Sequence, residues 1–196
     1  ACEKLSEVRA ANAKILEKQL LESLLNLNFL SVQFAIEVNR TENMSAKGWD
    51  DVEFKISTNP GEPIKSLAQV ASGGELSRIM LALKAMRARY VNMPTMIFDE
   101  IDTGISGKTS RKIGLKLREI ARVSQVICVT HSAQIATLAD NHFLISKKEV
   151  EGRANTSIRL LGQEERVDEA ARILGGINIT EAQRQAARDM LDNRNE

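Results

Sequence analysis

The hydrophobic pattern changes period along the chain, and each change marks an element. Residues 3–27 contain no Gly or Pro, and Leu5, Val8, Ile15, Leu20, Leu24 and Leu27 recur at roughly helical spacing among Glu, Lys and Arg. This predicts an amphipathic helix. Asn12 and Gln19 interrupt the heptad seam, so a surface helix and the end of a long coiled coil both remain open; the chain's start inside the helix, without an initiating Met, favours the coiled coil. From Leu30 the period drops to two. Leu30, Val32, Phe34, Ile36 and Val38 alternate with smaller or polar residues, and Val52, Phe54 and Ile56 do the same with Glu53, Lys55 and Ser57. An antiparallel pair with one wet face is expected, joined by a polar loop over 40–51. Asn59-Pro60-Gly61 then breaks the pattern.

A helix is predicted from Ser72, which stands in a Ser-x-x-Glu capping relation to Glu75. Its expected apolar face is Leu76, Ile79, Met80, Leu83 and Tyr90. Gly73 and Gly74 weaken the first turn, so they predict close approach of another group to the backbone. Free N–H groups and the positive dipole end make such an N-terminus an anion site. A well-capped helix with no further role is the other account.

Met96 to Phe98 form a short apolar run that reads as a parallel strand covered on both faces. It ends in Asp99-Glu100. Ligands of open α/β sheets bind beyond the carboxyl ends of strands. One carboxylate there can hold a magnesium ion and the next can stand beside a water, as in a nucleotide hydrolase. A core strand that meets water at two acids is the plainer account. The polar loop Asp102-Thr103-Gly104-Ile105-Ser106-Gly107 follows at the same edge. The next helix should bury Ile113, Leu117, Ile120 and Ala121. Its Lys108, Arg111, Lys112, Lys116 and Arg118 are the best nucleic-acid candidates, although a solvated face is the commoner meaning of such a set. Gln125 to Val129 predict a second buried strand ending in Thr130-His131-Ser132, which brings a histidine to the same edge. A short helix over 133–139 follows. Residues 143–145 and 157–160 suggest a hairpin across a turn containing Gly152. Two helices close the chain, one over about 165–174 ending at Gly175-Gly176 and one capped by Thr180 and Gln183.

Composition adds limits. The 196 residues carry 27 Lys plus Arg against 26 Asp plus Glu, so only a local patch could favour nucleic acid. Cys2 and Cys128 have no metal-binding spacing, and Cys128 is expected to be a reduced core residue. No apolar run is long enough to cross a bilayer, which makes a cytoplasmic location and no membrane partner the expectation. The sequence also lacks a Gly-x-x-x-x-Gly-Lys-Ser/Thr phosphate loop. Groups able to handle metal and water are therefore present without a cradle for phosphates.

Taken together, these segments resemble the ABC-type ATPases. Ala-Ser-Gly-Gly-Glu-Leu-Ser-Arg at 71–78 resembles the signature, and Met-Ile-Phe-Asp-Glu at 96–100 resembles Walker B. Asp-Thr-Gly-Ile-Ser-Gly at 102–107 sits at the D-loop position, and Val-Thr-His-Ser at 129–132 resembles the switch histidine segment. Their wording is most similar to the RecN branch of the SMC-like ATPases, strongly over about 60–175. Ala71 replaces the Leu of many ABC proteins, and Thr103-Gly104-Ile105-Ser106 replaces the commoner Ala-Leu-Asp type of D-loop. Both departures favour that branch over transporters.

The resemblance implies an α/β fold: the C-terminal lobe of an ABC/SMC-type P-loop NTPase head, a mixed sheet with flanking helices, lacking its own P-loop. Residues 1–28 would end a coiled-coil helix and 29–196 would form the lobe. The phosphate loop would lie in an N-terminal lobe of the same full-length protein, so ATP hydrolysis would be composite and absent without that lobe. ATP and Mg²⁺ are the implied cofactors. Asp99 would hold Mg²⁺, Glu100 would orient and polarise the attacking water, and His131 would contact the γ-phosphate. Ser72, Gly73, Gly74 and Glu75 would close on ATP held by a second head, and Asp102 and Thr103 would line that dimer interface. The implied role is DNA double-strand-break repair and recombination, with DNA engaged through the full-length protein. A head lobe of another SMC-family protein, or a non-enzymatic dimerisation or DNA-binding module, are the alternatives. An exposed apolar patch is expected where the sheet would lack its other lobe.

Overall fold

A computed structural model describes residues 1–194 except 71, 72, 92, 151, 152 and 177. The chain divides into two compact units, Ala1–Met93 and Pro94–Glu196.

The first unit begins with α1 (Cys2–Asn26), which packs against two antiparallel strands, β1 (Gln33–Ser45) and β2 (Gly48–Ser57). The apolar stripe of α1 is split. Leu20 and Leu24 are fully buried and Leu27 follows them, whereas Val8 and Ile15 are half exposed. Asn28, at φ 68°, turns the chain out of the helix; Phe29 is buried, and Leu30 lies almost fully exposed ahead of the strand. The ladder pairs Gln33 with Ser57 and Ile36 with Phe54. The polar loop expected over 40–51 is instead mostly strand, interrupted by a bulge between Arg40 and Ser45. Polar side chains hold this extension together. The Thr41 hydroxyl lies 2.7 Å from the Trp49 carbonyl, Ser45 donates to the Gly48 carbonyl, and the Arg40 guanidinium sits 3.8 Å from the Trp49 ring centre. A short β3 (Lys65–Ser66) extends the sheet beside β2, before a 3-10 turn at Leu67–Gln69.

The β1–β2 hairpin lies along α1. Near its tip, Arg9 pairs with Asp50 at 2.7 Å and donates to the Lys47 carbonyl, while Ser6 donates to Asp50 at 2.5 Å. Closer to its base, the Ile36 N–H donates to the Glu17 carboxylate at 2.7 Å.

α2 (Gly73–Tyr90) also packs against α1. Its buried face is Ile79, Leu81, Ala82 and Ala85, whereas Met80 and Tyr90 are exposed. Of the expected face, Ile79 is buried and Leu76 and Leu83 are half-buried, while Leu81, Ala82 and Ala85 take the packed places expected for Met80 and Tyr90. Arg78 lies over the Phe29 ring at 4.9 Å.

In the second unit, β4 (Thr95–Phe98) and β5 (Gln125–Cys128) pair in parallel, joined through α3 (Gly107–Ala121). Contrary to expectation, β4 is covered on one face only: Met96 and Phe98 are buried, and Ile97 is 61% exposed. Ile97 is paired with Ile127, also exposed, and Val129 continues that bare face. The expected apolar exposure is thus present on this pair. α3 buries Ile113, Leu117 and Ile120, while Ala121 is exposed. Gly114 allows close approach to α4 (Ala133–Ala136), since a Cβ there would stand 3.3 Å from the Gln134 carbonyl and 2.5 Å from Leu138 Cδ1.

β6 (Phe143–Val150) and β7 (Arg153–Leu160) form the expected hairpin; the Gly152 turn lies outside the described residues. α5 (Gln163–Gly175) and α6 (Glu181–Asp192) close a small core of Ala133, Val167, Ala170, Ala171, Ala187 and Leu191. Thr180 and Gln183 make the predicted reciprocal cap. Part of the basic face of α3 is occupied: Arg111 and Arg118 donate to the carbonyls of Asn193 and Arg194, just past α6. Cations suit the end of a helix, where carbonyls are unpaired.

Candidate functional site

The candidate site is built where β4 and β5 end. Pairing continues one step beyond the strands, with Val129 N–H donating to the Phe98 carbonyl at 2.9 Å. The chain then leaves β4 through a tight turn. Glu100 has φ 51°, a left-handed conformation that costs a residue with a Cβ about 1–2 kcal/mol. The Thr103 N–H donates to the Glu100 carbonyl at 3.3 Å and closes the turn. Ile101, 1% exposed, anchors it in the core, and Gly104 at φ 72° leads toward Ser106, the first residue before α3.

Asp99 and Glu100 are exposed, and neither carboxylate has a partner among the described residues. Asp102 is their opposite. It is buried, and its Oδ2 accepts from the Thr130 hydroxyl at 2.5 Å and from the His131 backbone N–H at 3.0 Å. Thr130 Oγ1 in turn accepts from the Ser132 N–H at 3.0 Å. Asp102 therefore clips the end of β5 to the turn after β4. Of the two residues expected at a dimer interface, Asp102 turns its side chain inward and Thr103 is exposed. The His131 side chain is 73% exposed, with Nδ1 3.4 Å from Asp102 Oδ1. Cys128, half-buried at the end of β5, has its thiol pushed up to about 12, by burial first and then by the charges of Asp102 and Asp99. It is a protonated thiol at neutral pH.

Asp99, Glu100, Asp102, Thr103 and His131 are thus gathered at one strand edge. The signature segment belongs to the first unit. Ser72 lies outside the described residues. Gly73 opens α2, and an added Cβ would meet nothing within 4 Å among them. Glu75 accepts from the Thr58 hydroxyl at 3.2 Å. Sequence reasoning passed over Thr130, whose hydroxyl is central to the clip; its place before a histidine at a strand end was the available signal.

Among the described residues, no group of three or more His, Cys, Asp or Glu side chains could hold a metal ion. Mg²⁺ binds through one or two carboxylates with waters and substrate phosphates rather than in an all-protein cage. Asp99, exposed and unpartnered, has the right donor chemistry.

No protein-family model matches the chain. It is 44% identical to the DNA repair protein RecN of Halalkalibacterium halodurans over 96% of this chain, and 42% identical to that of Vibrio cholerae over 97%. This is a RecN-like chain. It spans about a third of the length of these curated relatives, 34% and 35% respectively. Among solved structures, the RecN-like chain is similar to the Smc head domain with a coiled coil and joint from Pyrococcus yayanosii. That match has a TM-score of 0.61 at 22% identity, covering 85% of this chain and 29% of that one. A second match, described for ATP-driven dimerization and DNA-stimulated activation of SMC ATPases, has a TM-score of 0.54 at 20% identity and covers 88% of this chain and 96% of that one. The fold is that of an SMC head portion. Among the described residues, no helix of the RecN-like chain is long and apolar enough to cross a membrane.

Proposed function

We propose that the chain is the C-terminal lobe of a RecN-type ATPase head, completed by a phosphate-loop lobe of the same full-length protein. The observation that carries this reading is the shared edge: parallel β4 and β5, in register, end in Asp99-Glu100 and in His131. When bound, ATP with Mg²⁺ supplies the phosphoryl group and neutralises its charge. Asp99 would hold the Mg²⁺. Glu100 orients and polarises the attacking water, for which its free carboxylate suits it. His131 contacts the terminal phosphate. Ser72, Gly73, Gly74 and Glu75 act on ATP held by a second copy of the head, and Thr103 borders that interface. Gly73 has room for such an approach. The bare face at Ile97, Ile127 and Val129 supports a missing lobe, and residues 1–28 are the end of its connecting coiled coil. ATP joins two heads and hydrolysis releases them, in the service of DNA double-strand-break repair and recombination. The protein works in the cytoplasm, on the nucleoid when bound to DNA.

The test is ATP turnover by this chain alone, mixed with a phosphate-loop lobe, and mixed as Glu100→Gln. Turnover is expected only in the mixture and should fall about 10²- to 10⁴-fold in the variant, the usual contribution of a positioned base. A mixture that assembles and binds ATP without turnover would leave a non-enzymatic module, with Asp99 and Glu100 as scaffolding.

A further inference from the structure

The Asp102 carboxylate uses its two oxygens differently. Oδ2 accepts two donors, the Thr130 hydroxyl and the His131 N–H. Oδ1 is buried and has no hydrogen-bond partner among the described residues. A buried acceptor without a partner is costly, and native folds leave few of them. The basic group facing it is the His131 ring, with Nδ1 at 3.4 Å, just beyond a proper hydrogen bond. Because that ring is largely exposed, it can turn the short distance needed. We propose that Asp102 is a positioning residue for His131: Oδ1 accepts Nδ1–H, which fixes the ring's tautomer and orientation and leaves Nε2 outward as the working atom. This rests on the reading of His131 given above.

The chemistry of the pair is specific. A neutral imidazole carries its proton on one nitrogen, and the partner of the other nitrogen decides which. The carboxylate cannot donate, so Nδ1 must carry the proton. Nε2 then has a free lone pair toward water, or a second proton toward a phosphate oxygen. Thr130 completes the device. Its one hydroxyl proton goes to Asp102 while its oxygen accepts the Ser132 N–H, so the backbone on both sides of His131 is held. The ring is thus steered from a fixed base.

Nitrogen-15 NMR of the histidine rings tests this without ATP. The chain has two histidines, so His142→Gln assigns His131. With the ring neutral, His131 is expected to carry its proton on Nδ1. In Asp102→Asn, the amide oxygen should stay with the Thr130 and His131 donors, which places the NH₂ against Nδ1 and moves the ring proton to Nε2. Thr130→Val keeps the carboxylate, so it should keep the proton on Nδ1. Wild-type His131 with its proton on Nε2, or a folded Asp102→Asn with an unchanged tautomer, would overturn the proposal. In the assembled ATPase, Asp102→Asn should lower kcat about 10- to 100-fold, the usual effect of removing a group that orients a working imidazole, with KM for ATP unchanged. The expected tautomers in an assembly without turnover would sink the ATPase reading and leave the pair standing.

Discussion

Asp99 and Glu100 differ from Asp102 in almost every physical respect, although four consecutive residues of one turn hold them all. The first two are exposed and have no hydrogen-bond partner among the described residues, and Glu100 sits in a left-handed conformation. Asp102 is buried and bonded to the neighbouring strand end. A carboxylate that is to meet a metal ion or a water must keep its lone pairs free and its backbone aimed, at some cost in stability. A carboxylate that holds other groups still must have its bonds made inside the protein. The turn after β4 keeps the two kinds of group side by side.

The comparison breaks most visibly at Asp102. Asp102→Ala leaves the Thr130 hydroxyl and the His131 N–H without an acceptor, and should lower unfolding free energy by about 1–3 kcal/mol in a denaturant titration. An unchanged midpoint would mean that the clip does not hold in solution. Glu100 should respond with the opposite sign. Glu100→Gly relieves the left-handed strain and is expected to gain about 1 kcal/mol while ending turnover in the assembled head. A loss of stability would show that Glu100 has interactions in solution that offset its backbone.

Asp50 is a third kind of acid, partnered and far in sequence from the turn. The Ser6 hydroxyl first, then Arg9, hold its carboxyl below the ordinary 3.8. A depressed carboxyl stabilises the fold above its unfolded value and loses that contribution as pH falls through its folded value. The tip of the β1–β2 hairpin should therefore loosen only below pH 3.8. Trp49, the chain's one tryptophan, donates to Ser6 at 2.8 Å and can report the change by fluorescence. Asp50→Asn should abolish the acid transition; its persistence would place the cause elsewhere.

Much of this arrangement was legible before any coordinates. Alternation marked β1 and β2, and the Asp99-Glu100 and His131 segments sat at strand ends that the structure pairs. What could not be read followed from physical ambiguities. A run as short as Met96-Ile97-Phe98 has the same composition whether one face or both are covered, and Ile97 is bare. Residues 40–51 look like a loop because they are polar, yet Thr41, Ser45 and the Arg40–Trp49 stack carry the ladder through them. Asp102 in a polar, glycine-bearing stretch reads as solvated; its inward turn depends on Thr130, distant in sequence. The left-handed backbone of Glu100 has no sequence signal at all, since glycine would be the expected residue there.

The pairing of α1 with the β1–β2 hairpin has a mechanical meaning. With 25 residues, α1 is a shaft about 37 Å long. Leu20, Leu24 and Leu27 seat one end in packed hydrocarbon, and Glu17 is bolted to the base of the hairpin. Toward the other end, Ser6 and Arg9 are tied to the hairpin tip by polar bonds, with Leu5 close against Gly48 beside them. The hairpin is therefore a brace, and α1 is a beam supported at two points rather than a free rod. Its two fastenings answer to different conditions. Added salt or acid slackens the polar one and leaves the hydrocarbon seat gripped, so the stiffness of the shaft can be lowered without releasing it.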